Sequence, residues 1–296
     1  MRKTMIIRQL VAAMFLAVAC NVMAQTGADA SAPPYCQILD YPSDPVYRVS
    51  LGWISESRYT GYGKTTALEI DGDWNWAYFR DVAFGGDVDM SLRLRSSVFL
   101  NSAGLNLPDQ LVQLALGAEW MFRGANGVAY QCGIWPGVFS DVEKLDADAL
   151  YVPLSFGVVR SFDDRLSGIF GLTYRPGFET EIMPALGLAW AVNDYLRLEA
   201  GLPRSRLSWI LDSDWTTHLA FEWRNASYRV RDEHDQVTLE DFRVSWGMTR
   251  RLSDELYMAG ELGIMAERTV EFDEGPEGEV EVEKQVFAKF TVNGPF

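Results

Sequence analysis

The chain of 296 residues holds only two histidines, His218 and His234. His218 has the better setting for chemistry. A tight turn at Asp212-Ser213-Asp214 puts Ser208 directly opposite His218 on two adjacent strands. A serine and an imidazole so placed are a possible nucleophile and base. The flanking residues argue against that use. Leu207, Trp209, Leu219 and Phe221 share the other face, which needs apolar surroundings, so Ser208 and His218 turn inward. A hydrogen bond inside the protein is the expected role, and no catalytic residue is assigned.

Charged side chains at alternate positions form a larger set. Arg93, Arg95, Glu119, Arg123, Arg175, Arg197, Glu199, Arg206, His218, Glu222, Arg224, Arg243, Glu261, Glu281 and Lys289 all fall on or near one stripe of their segments. If those segments are strands, the stripe is a single face. Two outcomes are physically distinct. Arg and Glu ladders that pair across a bore fill it and hold it shut. Ladders on opposite walls leave a transverse field and a narrow pore that selects by charge and size. The spacing alone does not choose between them.

The elements that must carry this stripe are strands. Val88, Met90, Leu92 and Leu94 alternate with Asp89, Ser91, Arg93 and Arg95. Val112, Leu114, Leu116 and Ala118 alternate with Gln113, Gly117 and Glu119. Leu219, Phe221 and Trp223 alternate with His218, Glu222 and Arg224. Stretches of this kind recur from residue 46 to the C-terminus, separated by turns rich in Asp, Asn, Gly and Ser. Tight turns at 162–165, 192–194, 212–214 and 252–255 alternate with longer, acidic or Pro/Gly-containing connections. One apolar and one polar face per strand, with short turns at one end and long loops at the other, is the pattern of an antiparallel transmembrane β-barrel. Counting gives fourteen strands. Twelve is the alternative, because the pair around Gly201-Leu202-Pro203-Arg204 is short and Asp71-Gly72-Asp73 interrupts the segment 63–80. Trp190, Trp209 and Trp215, near turns, read as an interfacial girdle; Trp53, Trp74, Trp76 and Trp246 belong elsewhere on the surface.

The ends of the chain set its address. Arg2, Lys3 and Arg8 precede a short apolar run from Leu10 to Ala19, and Val22-Met23-Ala24 offers a cleavage site. Residues 1–24 therefore read as a signal peptide, with lipidation of Cys20 as the alternative. Residues 25–45 read as a periplasmic or lumenal leader and 46–296 as the barrel. The terminal Phe296 ends an alternating strand, the kind of signal read by the outer-membrane insertion machinery, although Pro295 departs from the pattern. Mean hydropathy is −0.06, as expected when half of each strand faces lipid and half does not. Aromatics are plentiful, with 16 Phe, 12 Tyr and 10 Trp, which suits two interfacial belts. Loss of the three basic signal residues takes the formal net charge from −15 to −18. Such acidity excludes nucleic acid as a partner. Much of it sits in three runs, 142–148, 232–235 and 273–279, read as solvated loops or as divalent-cation bridges to lipopolysaccharide. Cys36 and Cys132 are the cysteines that remain after cleavage and form a candidate disulfide in an oxidising compartment. No metal set and no cofactor motif is present.

The region from Leu166 to Val270 resembles a family of uncharacterised bacterial outer-membrane β-barrel proteins, known as a domain of unknown function. The resemblance rests on the stretches 187–198 and 201–209, on Ser227-Tyr228-Arg229-Val230, and on Arg268 ahead of Phe272. It implies the fold and an outer-membrane location, and brings no activity. The functional expectation is a passive, porin-like channel for small hydrophilic solutes. A structural or adhesion barrel with acidic loops is the alternative, and a lipid hydrolase built on Ser208 and His218 comes third. Expected partners are outer-membrane lipid and lipopolysaccharide, the insertion machinery and small solutes.

Overall fold

The computed structural model describes residues 46–82, 85–100, 107–124, 127–143, 147–231, 235–273 and 278–295. The expected signal, the leader with Cys36, the terminal Phe296 and much of the three acidic loops lie outside them.

Alternating sequence becomes strand throughout. The strands are β1 (Val46–Arg58), β2 (Lys64–Phe79), β3 (Asp87–Phe99), β4 (Gln110–Arg123), β5 (Val128–Ile134, resuming as Gly137–Ser140) and β6 (Leu150–Tyr151, resuming as Leu154–Ser161). They continue with β7 (Leu166–Tyr174), β8 (Ile182–Ala191), β9 (Leu196–Leu202), β10 (Arg204–Ile210), β11 (Trp215–Arg229), β12 (Gln236–Arg251), β13 (Tyr257–Phe272) and β14 (Glu279–Val282, resuming as Gln285–Pro295). Each pairs antiparallel with the next. β1 also pairs with β14, Val46 opposite Pro295, which closes the sheet. The result is a closed barrel of fourteen strands. Twelve strands fail because Asp71-Gly72-Asp73 does not interrupt β2. It lies mid-strand, facing Ser50, Val49 and Arg48 on one side and Arg95, Leu94 and Arg93 on the other.

Four hairpins at one end share one piece of turn chemistry. A short side chain accepts two backbone N–H groups just after it, the local bonding that favours Asp, Asn and Ser in turns. Asp163 Oδ1 accepts from the amides of Arg165 and Leu166 at 2.7 and 2.8 Å. Asn193 Oδ1 accepts from Tyr195 and Leu196, Asp212 Oδ1 from Asp214 and Trp215, and Ser253 Oγ from Glu255 and Leu256. In bacterial barrels the short-turn end is the periplasmic one.

The outward stripe is apolar. Leu116, Phe170, Ile182 and Leu262 are each more than half exposed. A soluble protein rarely leaves so large a continuous apolar surface bare; lipid covers it here. No helix among the described residues is long and apolar enough to cross a membrane.

The wall is uneven in height. β9 and β10 have seven residues each, whereas β11 has 15 and β12 and β13 have 16. The last ladder contact of β11 with the β10 side is the Trp223 amide donating to Pro203 O at 2.8 Å. Beyond it β11 has no β10 to pair with and crosses to β5 instead. Arg229 bridges Ser140, the Asp141 amide donates to Arg229 O, and the Arg231 amide donates to Asp141 Oδ2 at 2.8 Å. The loop end of the barrel is thereby narrowed to β1–β5 and β11–β14. A section of so few strands has an interior that side chains fill. They do: Ile54, Leu111, Phe139, Tyr228, Val237, Met265, Val270 and Phe272 form one buried apolar cluster. Phe139, Tyr151 and Phe178 meet edge to face at its rim, with centroids 4.9–5.4 Å apart.

Candidate functional site in the bore

Below the apolar cluster the interior is polar, and ion pairs cross it. Glu69 on β2 takes both terminal nitrogens of Arg243 on β12, at 2.6 and 2.7 Å. The other edge of the same guanidinium holds Asp241, at 2.5 and 2.8 Å. Arg224 on β11 reaches Glu69, Asp71 and Glu222 at 3.2–3.6 Å, and Lys289 on β14 lies 3.5 Å from Asp71. Bidentate Arg–carboxylate pairing is the strong form of this contact. The contacts of Arg243 and Arg224 with β2 span three and four intervening strands of wall, and Lys289 with Asp71 spans one; together they form a chord through the bore. Of the two outcomes open to the charged stripe, this part takes the first, pairing across.

At the edge of the chord lies His218, fully buried. Ser208 is its register partner, as expected. Its ring nitrogens, however, face other groups. Arg206 donates to Nδ1 at 2.8 Å, which makes Nδ1 the acceptor and leaves the proton on Nε2. Nε2 faces Glu261 Oε1 at 3.4 Å, a charge contact without hydrogen-bond alignment. No hydrogen bond joins Ser208 to His218 among the described residues, so Ser208 has no base. The ring also leans on Gly247, where a Cβ would stand 2.5 Å from both Cε1 and Nε2. Gly247→Ala should therefore displace the imidazole and cost about 1–3 kcal/mol by overpacking. Urea unfolding of the micelle-bound protein checks this; an unchanged midpoint would mean the ring has room to move.

On the other side of the chord is a cavity of about 330 Å³. β3–β5 contribute Arg93, Arg95, Gln113, Glu119 and Gln131, and the adjoining strands β6–β8 contribute small residues, Ser155, Gly157, Gly171 and Ala185. Phe139, Phe178, Arg175 and Asn225 also line it, where the barrel begins to narrow. Arg93 donates to Asp73 at 2.9 Å and stacks on the ring of Trp135, 4.1 Å from its centroid. Trp135 follows the first segment of β5, where a break in the strand before Pro136 frees it to turn in against Gly117 and Gly133. Gln131 donates to Glu119 at 3.0 Å. A smaller cavity of about 30 Å³, lined by Arg204, Glu222, Arg224, Glu261 and Lys289, lies on the chord's far side.

The remaining expected residues are scattered. Arg123 is exposed at the short-turn end of β4. Glu199 is exposed on β9, opposite Arg206, and Arg197 is opposite Ser208. Arg175 sits just past β7 rather than on a strand. Its donors go to Asn225 and to Thr180 O. Glu281 corrects the expectation. It is exposed, and its neighbours Val280 and Val282 are the buried ones. β14 breaks between Val282 and Gln285, which shifts the alternation by one: Gln285 and Phe287 are buried after the break, Val280 and Val282 before it, and Glu281 turns out. Cys132 is half-buried on β5. Glu69, Asp71, Asp73 and Asp241 were not among the expected bore residues, yet the ion pairs depend on them, and neither was the buried Arg268, which donates to Gln285. Their signal was present: Glu69, Asp71 and Asp73 repeat every second residue, in complement to Arg93 and Arg95 on the next strand.

A closed fourteen-strand wall, apolar outside and charged within, defines a transmembrane β-barrel of the porin-like class. Residues 103–287 match the family described as domain of unknown function DUF6268, and the chain belongs to that family. No curated protein sequence matches it. Among solved structures, an outer-membrane channel from Pseudomonas putida F1 shares 10% identity over 90% of this chain and 100% of its own, with a TM-score of 0.45. The P. putida toluene transporter TodX shares 8% identity over 90% and 93%, TM-score 0.43. The KdgM porin, solved with disordered oligogalacturonate, shares 9% identity over 83% and 99%, TM-score 0.34. All three likenesses are distant.

Proposed function

We propose that the protein is an outer-membrane channel for small hydrophilic solutes, held closed along its axis in the form described above. The observation that carries this reading is the cavity of about 330 Å³ inside a closed wall, with arginine, glutamate and glutamine side chains along one side. Its volume lies within the range of about 300–1,000 Å³ common to small-molecule sites. A barrel serving only as a scaffold gains nothing from leaving polar side chains around an unfilled space. Lipid and lipopolysaccharide surround the apolar face, and the insertion machinery reads β14. Catalysis is not assigned, because Nδ1 of His218 accepts from Arg206 and Nε2 faces Glu261, neither bonding to Ser208.

The apolar cluster at the loop end favours a second reading, a structural barrel that never conducts. Planar-bilayer recording of the purified protein separates the two. The channel reading expects brief discrete openings, and a larger open fraction in Phe178→Ala, because Phe178 seals the rim between Phe139 and Tyr151. No step above the empty-bilayer baseline in either protein would leave the structural reading.

A further inference from the structure

The two sides of the chord treat positive charge differently. Arg243 and Arg224 each meet more than one carboxylate. The arginines around the larger cavity do not. Arg93 has Asp73. Arg95 has no hydrogen-bond or ion-pair partner among the described residues, although it lines the cavity. Arg175 is buried, and its hydrogen bonds go to neutral oxygens, Asn225 O at 2.7 Å, Asn225 Oδ1 at 3.1 Å and Thr180 O at 2.7 and 3.2 Å, with Glu240 one step behind on the side-chain amide of Asn225. A buried guanidinium satisfied by neutral acceptors keeps its full charge and projects it into the adjoining space. Glu119 is the one carboxylate in the lining; it accepts from the neutral Gln131 and keeps its charge, so the lining sets three guanidiniums against one carboxylate. Asp89, opposite Glu119 in register, takes Asn75.

The part of the lining that comes from β6–β8 carries no charge. A Cβ on Gly157 would meet nothing closer than 3.8 Å, so this wall leaves open space. Gly171 and Ile169 continue it. The cavity thus offers two arginines without a direct carboxylate contact, Arg95 and Arg175, at one side and an uncharged surface at the other.

We infer that this cavity binds a small organic anion, a carboxylate on an apolar body the size of one aromatic ring. The carboxylate meets Arg95, in the field of Arg175, and the body lies along Gly157, Gly171 and Ile169. This names the solute class for the channel proposed above and rests on that reading only for the route in and out.

Isothermal titration of the full micelle-folded protein with benzoate, benzamide and benzylammonium tests it, since the three share a shape and differ in charge. Benzoate should bind on the order of tenfold more tightly than either other probe, as a charge-assisted bond requires. Arg95→Gln, which breaks no bond to a described residue, should remove that preference. Gly157→Asp should abolish benzoate binding by placing a carboxylate in the space. Equal affinity for benzoate and benzamide, or benzoate binding unchanged in Arg95→Gln and Gly157→Asp, overturns the inference. Benzoate binding without conductance in any variant overturns the channel reading and leaves this one standing. Conductance without benzoate preference does the reverse.

Discussion

Arg243→Ala is expected to destabilise the barrel by about 3–5 kcal/mol, the cost of removing one partner from a buried ion pair. Arg243 is 3% exposed, so solvent does not screen it. It serves two carboxylates at once, Glu69 and Asp241, through four short contacts. Alanine leaves both as buried anions. Glu69 keeps only the longer contact to Arg224, at 3.4 Å, and no other described cation is paired with Asp241. The contrast is a triple variant, Arg243→Met with Glu69→Gln and Asp241→Asn. It removes the charges together and should fall within about 1–2 kcal/mol of wild type, because the desolvation cost leaves with them. Equilibrium urea unfolding in vesicles measures both. A loss below about 1 kcal/mol for Arg243→Ala would mean that water fills this level of the bore and screens the pairs.

Phe139→Ala is the second large effect, expected to cost about 3–5 kcal/mol, the range for a buried aromatic truncated in a packed core. Phe139 is 3% exposed and packs edge to face on Tyr151 and Phe178, with Tyr228 tilted 6.5 Å away. In an open pore this position would line water and tolerate alanine. Here it fills the section that narrows where β11 bridges to β5. The same unfolding measurement decides the matter, and a neutral Phe139→Ala would show that the loop end is loosely filled. An equal truncation on the lipid side, Phe170→Ala, should cost less, because lipid takes up the space that Phe170 vacates.

How much of this was legible in the sequence depends on range. Period two is a property of neighbouring residues. It correctly separated Leu219 and Phe221 from His218 and Glu222, and it found every strand. The turns at Asp163, Asn193, Asp212 and Ser253 were legible because each bonds within three residues of itself. A tight turn fixes the register beyond it, which is why Ser208 and His218 were expected to face each other and do. The reading stayed open between fourteen and twelve strands where a local cue had a distant purpose. Asp71-Gly72-Asp73 reads as a turn because its residues favour turns. In the barrel the two aspartates point inward and take up Arg48, Arg93, Arg224 and Lys289, which come from four different strands.

The amino-acid order by itself therefore determined the fold class, the strand count favoured by parity, and which residues share a face. Only the tertiary structure decided whether the charged face opens or closes the bore. That outcome turns on β9 and β10 being shorter than their neighbours, so that β11 loses its partner and crosses to β5. The crossing shrinks one end to a section that apolar side chains fill, and the break in β14 after Val282 turns Val280 and Val282 into it in place of Glu281. Below it, the cross-section brings Arg243 to Glu69, 174 residues away, and leaves Arg95 facing an unfilled cavity. Alternation sets a side chain's direction from its neighbours alone; what it meets across a barrel depends on the whole circumference.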